Sequence, residues 1–129
     1  MFPLTILLIT GDADIERALL EAARRTGRTL TVVRTAHEAV KTFTHGFESY
    51  SLIIVDLDPD VHGVTLFYAL DDCHGGVPVA VLTGCEESYV KPIALSLGAA
   101  DCLGKPVPPE RFARLLDELA PSMSARSNQ

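Results

Sequence analysis

The chain has 129 residues, 47% of them hydrophobic, and a formal charge of −6. That length suits one domain with a real core. The acidic balance leaves no electrostatic footprint for nucleic acid, and no apolar run reaches the about 20 residues of a membrane span.

Leu4 to Ile9 is a short aliphatic run and predicts a first buried strand. Phe2 to Ile9 lacks a basic n-region and a small-residue cleavage site, so no signal peptide is read there. Thr10-Gly11-Asp12 turns the chain, with Asp12 placed to cap a helix. Ile15, Ala18, Leu19 and Ala22 then recur at helical spacing, and Gly27 closes that helix. Leu30 to Val33 predicts a second strand nearer the sheet edge. Thr35 and Glu38 have the spacing of a capping box. Ala36, Ala39, Val40 and Phe43 line one face of the helix that follows, which Gly46 breaks.

Ser51-Leu52-Ile53-Ile54-Val55-Asp56 is a near-continuous apolar run ending in a carboxylate, which predicts a strand buried on both faces. Pro59 cannot continue a central strand, so Asp56 stands at the carboxyl end. After Gly63, Val64, Phe67 and Leu70 predict a short third helix, followed by a fourth strand over Val77 to Leu82 that ends at Thr83-Gly84. Pro92 disfavours a helix interior, so the next helix is expected to begin near Val90 or to kink there. Asp101 to Leu103 predicts a fifth strand. Pro108 and Pro109 open a last helix with an apolar stripe of Phe112, Leu115, Leu116 and Leu119. Residues 1–120 are read as one domain and 121–129 as a tail that frays. Cys73, Cys85 and Cys102 are odd in number and lack C-x-x-C spacing, which fits buried free thiols in a reducing cytoplasm. His37, His45, His62 and His74 match no defensible metal site.

Strand and helix alternate five times, so the expected fold is a doubly wound α/β domain with a parallel sheet. Right-handed crossovers bring every strand's carboxyl end to one edge, where ligands bind in such sheets. That edge carries Thr10-Gly11-Asp12, Asp56, Thr83 and Lys105. An acid, a hydroxyl and an ammonium at one spot suit phosphoryl chemistry. A carboxylate can attack phosphorus, a lysine and a hydroxyl can hold phosphoryl oxygens, and Mg²⁺ can neutralise the charge.

Ile54-Val55-Asp56-Leu57 with Pro59 and Gly63, Val81-Leu82-Thr83-Gly84, and Gly98-Ala99-Ala100-Asp101 leading to Lys105-Pro106 together resemble a response-regulator receiver domain over essentially the whole folded length. The resemblance implies a single flavodoxin-like (βα)5 domain with sheet order 2-1-3-4-5. It implies that Asp56 is the phosphoacceptor, Thr83 the switch hydroxyl and Lys105 the phosphate-binding lysine. It implies a histidine kinase or phosphotransfer protein as donor and an unnamed downstream protein as target, in the cytoplasm, with no membrane insertion, no direct nucleic-acid contact and no enzymatic turnover of its own. Mg²⁺ would be held by Asp56 and the Asp58 backbone carbonyl, with Asp12 as a weak third candidate.

The departures are specific. Thr10 and Gly11 stand where the family keeps two metal-binding acids, which weakens the expected Mg²⁺ site. The loop after Asp56 is one residue short, and Cys102 replaces the switch aromatic three residues before the lysine. Two rival readings follow. A degenerate receiver would bind partners without phosphorylation. A small flavodoxin-like enzyme or cofactor binder would need a glycine-rich phosphate loop, which Thr10-Gly11-Asp12 is not.

Overall fold

The computed structural model describes residues 5–44, 50–57 and 76–121. Within them lie β1 (Thr5–Ile9), α1 (Ala13–Arg25), β2 (Thr29–Val33), α2 (Ala36–Thr44), β3 (Leu52–Asp56), β4 (Val79–Thr83), α3 (Glu87–Ser96), β5 (Asp101–Gly104) and α4 (Pro109–Leu119). The third helix expected around Val64 to Leu70, with Gly46, Pro59 and Gly63, lies outside the described residues.

The strands form one parallel sheet of order β2-β1-β3-β4-β5. Its centre is where the sequence is most aliphatic. Every residue of β3 and β4 is buried, whereas β2, with its two threonines, is mostly half-exposed at one edge. Successive side chains of a strand point to opposite faces, so the aliphatic runs supply two cores at once. Ile6, Leu8, Leu52, Ile54, Leu82 and Leu103 meet Ile15 and Leu19 of α1 and Phe112, Leu115 and Leu116 of α4. On the other face Leu7, Ile9, Ile53, Val55, Val81 and Cys102 meet Ala39 of α2 and Ala94 of α3. The result is three layers, with both sheet faces covered as a parallel sheet requires.

The helix ends follow local chemistry. Asp12 is the N-cap of α1, its Oδ1 accepting from the Asp14 and Ile15 amides at 2.8 and 3.4 Å. Gly27 and Gly98, at φ 71° and 105°, reverse the chain after α1 and α3 in a region where a side chain is strained. Thr35 caps α2 by accepting from the Glu38 amide at 3.1 Å, while the Glu38 carboxylate accepts from the Thr35 hydroxyl at 3.4 Å. At the far end of α4, the Arg28 side chain is only 2% exposed. Its Nε and Nη2 donate to the Ala120 carbonyl at 2.8 and 2.5 Å, and Nη1 reaches Asp117 at 3.3 Å.

Three expectations need correction. The fourth strand begins at Val79, because Pro78 has no amide to donate. Pro78 contributes only its carbonyl, which accepts from Ile53 at 3.0 Å. α3 starts at Glu87, not near Val90. The missing Pro92 amide removes a single helical bond to the Ser88 carbonyl, and Pro92 is exposed, so the helix continues past it. Cys85 is exposed, not buried, because it belongs to the turn after β4; Cys102 is buried as expected, and Cys73 lies outside the described residues.

Among the described residues Phe112 is the largest fully buried side chain, and it joins α4 to the sheet. Phe112→Ala is expected to lower the unfolding free energy by about 3–5 kcal/mol, measured by urea denaturation. A loss under ~1 kcal/mol would show that this face tolerates collapse.

Candidate functional site

β3 delivers Asp56 to the carboxyl end of the sheet with no exposed surface. A carboxylate there is costly unless its oxygens are partnered, and two partners come from the ends of other strands. Lys105 Nζ donates to Asp56 Oδ1 at 2.7 Å. The Thr10 hydroxyl, 1% exposed, donates to Asp56 Oδ2 at 2.7 Å. The direction of this second bond follows from a third. The Asp12 amide donates to Thr10 Oγ1 at 3.0 Å. An amide only donates and an ionised carboxylate only accepts, so the single hydroxyl proton lies toward Asp56.

Strand register builds this cluster. Leu8 pairs with Ile54 and Ile9 with Val55, so one further step sets Thr10 opposite Asp56. The Thr10 amide extends the ladder with β2, donating to Val33 at 3.0 Å. On the other flank the Lys105 amide extends the β4–β5 ladder, donating to the Thr83 carbonyl at 2.7 Å. Thr83 ends β4, buried, with its hydroxyl accepting from the Cys85 amide at 3.0 Å. A Cβ built at Gly84 would sit 3.7 Å from Lys105 Cε, so the turn after Thr83 flanks the lysine. The structure thus joins Asp56 and Lys105 directly and sets Thr83 at the end of the neighbouring strand. By residue type alone Thr10 is only the replacement of an acid. The signal that identifies it is register, not residue type. Asp12 caps α1 through its Oδ1. Asp58 lies outside the described residues. A cleft of about 310 Å³ opens between the start of α1 and the Lys105–Val107 turn, lined by Asp12, Asp14, Ile15, Lys105, Pro106 and Val107.

A family model described as the response regulator receiver domain matches residues 6–117. The chain belongs to this family. It is 29% identical over 125 residues to the transcriptional regulatory protein CpxR homolog of Haemophilus influenzae, covering 95% of this chain and 53% of that protein. It is 31% identical over 102 residues to the transcriptional regulatory protein BasR of Escherichia coli, covering 78% and 45%. The chain therefore spans about half the length of these curated relatives. Among solved structures, a response regulator from Thermotoga maritima superposes with a TM-score of 0.79 at 17% identity, covering 95% of this chain and all of that one. The chemotaxis response regulator CheY4 of Vibrio cholerae superposes with 0.76 at 19% identity, covering 91% and 98%. These likenesses carry the fold, a flavodoxin-like receiver sheet, and the fold class expected from the alternation is the one observed.

Receiver domains typically take Mg²⁺ at this edge. Among the described residues of this receiver the donor set does not fit one. Mg²⁺ favours an octahedral oxygen shell that includes one or two carboxylates. Here Asp56 is the carboxylate at hand, and its charge is already met by an ammonium at 2.7 Å. Its second oxygen receives a hydroxyl proton, and the described residues contain no group of three or more His, Cys, Asp or Glu able to hold a metal. No helix among them is long and apolar enough to cross a membrane.

Cys102, three residues before Lys105, packs between the sheet and α3. Burial pushes its thiol up from the ordinary value of 9.0, and the charges of Glu87 and Asp101 push the same way against Lys91. Below that value the thiol is protonated in both states. Above it the folded chain keeps a proton that the unfolded chain sheds, so stability falls as pH rises.

Two measurements follow. Lys105→Met is expected to lose roughly 3 kcal/mol by leaving a buried carboxylate unpaired, while adding Asp56→Asn recovers most of that loss in a double-mutant cycle by urea denaturation. Additive losses would show that the pair is uncoupled. Cys102→Ala is expected to flatten the decline in stability above pH 9.0, with parallel curves for both proteins arguing that the thiol plays no part.

Proposed function

We propose that this receiver accepts a phosphoryl group on Asp56 from a phosphohistidine of a histidine kinase or phosphotransfer protein, and passes the signal to a downstream protein by surface contact. The observation that carries the proposal is a fully buried carboxylate at the end of a central strand, 2.7 Å from an ammonium. Family membership supports it, as does the place of Thr83 at the end of β4, one residue before the glycine that flanks Lys105. In the proposed step an Asp56 oxygen bonds to phosphorus while the phosphorus–nitrogen bond breaks, its electron pair returning to the imidazole ring. Lys105 then follows the negative charge onto the phosphoryl oxygens. In this reading the Thr83 hydroxyl, which accepts from the Cys85 amide, donates its proton to a phosphoryl oxygen and so moves the turn that leads into α3. That movement is the proposed output.

The test is intact-mass spectrometry after incubation with acetyl phosphate and, separately, with a phosphorylated histidine kinase. The native chain is expected to gain one phosphoryl group and Asp56→Asn none, with Lys105→Ala slowed by roughly 10²-fold. Uptake that persists in Asp56→Asn, or no uptake by the native chain from either donor, would overturn the proposal.

A further inference from the structure

We propose that Thr10 is a positioning residue for phosphoryl acceptance, its hydroxyl holding Asp56 Oδ2 so that the carboxylate is oriented without a divalent cation. The inference rests on Asp56 being the phosphoacceptor and goes beyond it to the means by which the carboxylate is held. Three observations carry it. The Thr10 hydroxyl reaches Oδ2 at 2.7 Å, and both residues are buried. The hydroxyl cannot turn away at no cost, because its own oxygen accepts from the Asp12 amide at 3.0 Å, at the capped start of α1. Lys105 supplies the compensating positive charge on Oδ1. A divalent cation at Oδ2 would share that oxygen with the hydroxyl proton and sit close to an ammonium.

The arrangement divides the two oxygens by task. Oδ1, beside Lys105, is the attacking atom. With acetyl phosphate, a bond forms between Oδ1 and phosphorus as the phosphorus–oxygen bond to acetate breaks. Acetate leaves with the electron pair, and no proton or co-reactant is needed. Oδ2 passes from carboxylate oxygen to the carbonyl oxygen of the acyl phosphate and accepts the Thr10 proton in both states. One side of the group thus keeps its partner throughout the step, while the lysine transfers from Oδ1 to the incoming phosphoryl oxygens. Loss of the hydroxyl removes the hydrogen bond that aims Oδ2.

The experiment has two arms on the full chain, with Thr10→Val, Thr10→Ser and Thr10→Asp as variants. In the first, acetyl phosphate uptake is timed with Mg²⁺ and with EDTA. The native rate is expected to be unchanged by EDTA. Thr10→Val is expected to slow uptake roughly 10- to 100-fold, and Thr10→Ser to restore it, which a packing role for the methyl group would not produce. In the second arm, Mg²⁺ alone is titrated and the amide shifts around Asp56 and Lys105 are followed. The native chain is expected to show no saturable response, and Thr10→Asp to acquire one that Asp56→Asn then removes. Native uptake that collapses in EDTA, saturable Mg²⁺ shifts around native Asp56, native-like uptake by Thr10→Val, or no gain of binding in Thr10→Asp would each overturn the inference. Should Thr10→Val fail to fold, the serine and aspartate variants decide. The Mg²⁺ arm does not require phosphorylation, so loss of the phosphoacceptor reading and loss of this one are distinguishable.

Discussion

A carboxylate with no access to water, set among isoleucine and valine, has to be neutralised by its neighbours. Asp56 imposes that condition on the whole carboxyl edge of the sheet. Lys105 meets it on one oxygen and Thr10 on the other. Both arrive by backbone ladder, Thr10 through the β1–β2 pairing and Lys105 through the β4–β5 pairing. The site therefore inherits its geometry from sheet register.

The layers around the sheet serve the same end. Each strand of the centre is apolar on both faces, so α1 and α4 cover one side and α2 and α3 the other. At the β5 edge a second acid, Asp101, is held from both sides, by Lys91 of α3 at 3.1 Å and Arg111 of α4 at 3.8 Å. Its own Oδ1 also accepts from the Cys102 amide at 2.8 Å. This acid links the two helices that flank the last strand, next to the buried thiol at the position where a receiver usually carries a swinging ring. A small, packed thiol has no comparable side-chain motion to offer. Any rearrangement on this side has to be carried by the turn after Thr83 and by α3 itself.

Most of the architecture was legible because the strands are short, aliphatic and terminated by proline, glycine or aspartate. These signals depend on nearest neighbours. Asp56, Thr83 and Lys105 were legible as a set because the alternation of strand and helix brings strand ends together. Thr10 was not, since a hydroxyl at a strand end looks like β-propensity until the register sets it against a buried carboxylate. The start of α3 was misplaced because proline's cost was assigned to the helix and not to the single hydrogen bond it removes. Cys85 was misplaced because composition says that cysteines are buried and does not say which residue a turn turns outward. The helix expected between Asp56 and Val77 concerns residues outside the described set.

The grip of Arg28 on the end of α4 has a consequence for behaviour in salt. Two of its three contacts go to an uncharged carbonyl, that of Ala120, from a guanidinium shielded from solvent. The third goes to Asp117, whose side chain is 67% exposed. Mobile ions screen a charge pair open to water within about 8–10 Å, but they have little purchase on a buried bond between a guanidinium and a peptide oxygen. The anchorage of the final helix to the start of β2 is thus mostly independent of ionic strength. Through Ala120 the last turn of α4 is held to the amino edge of the sheet, opposite the edge that holds Asp56.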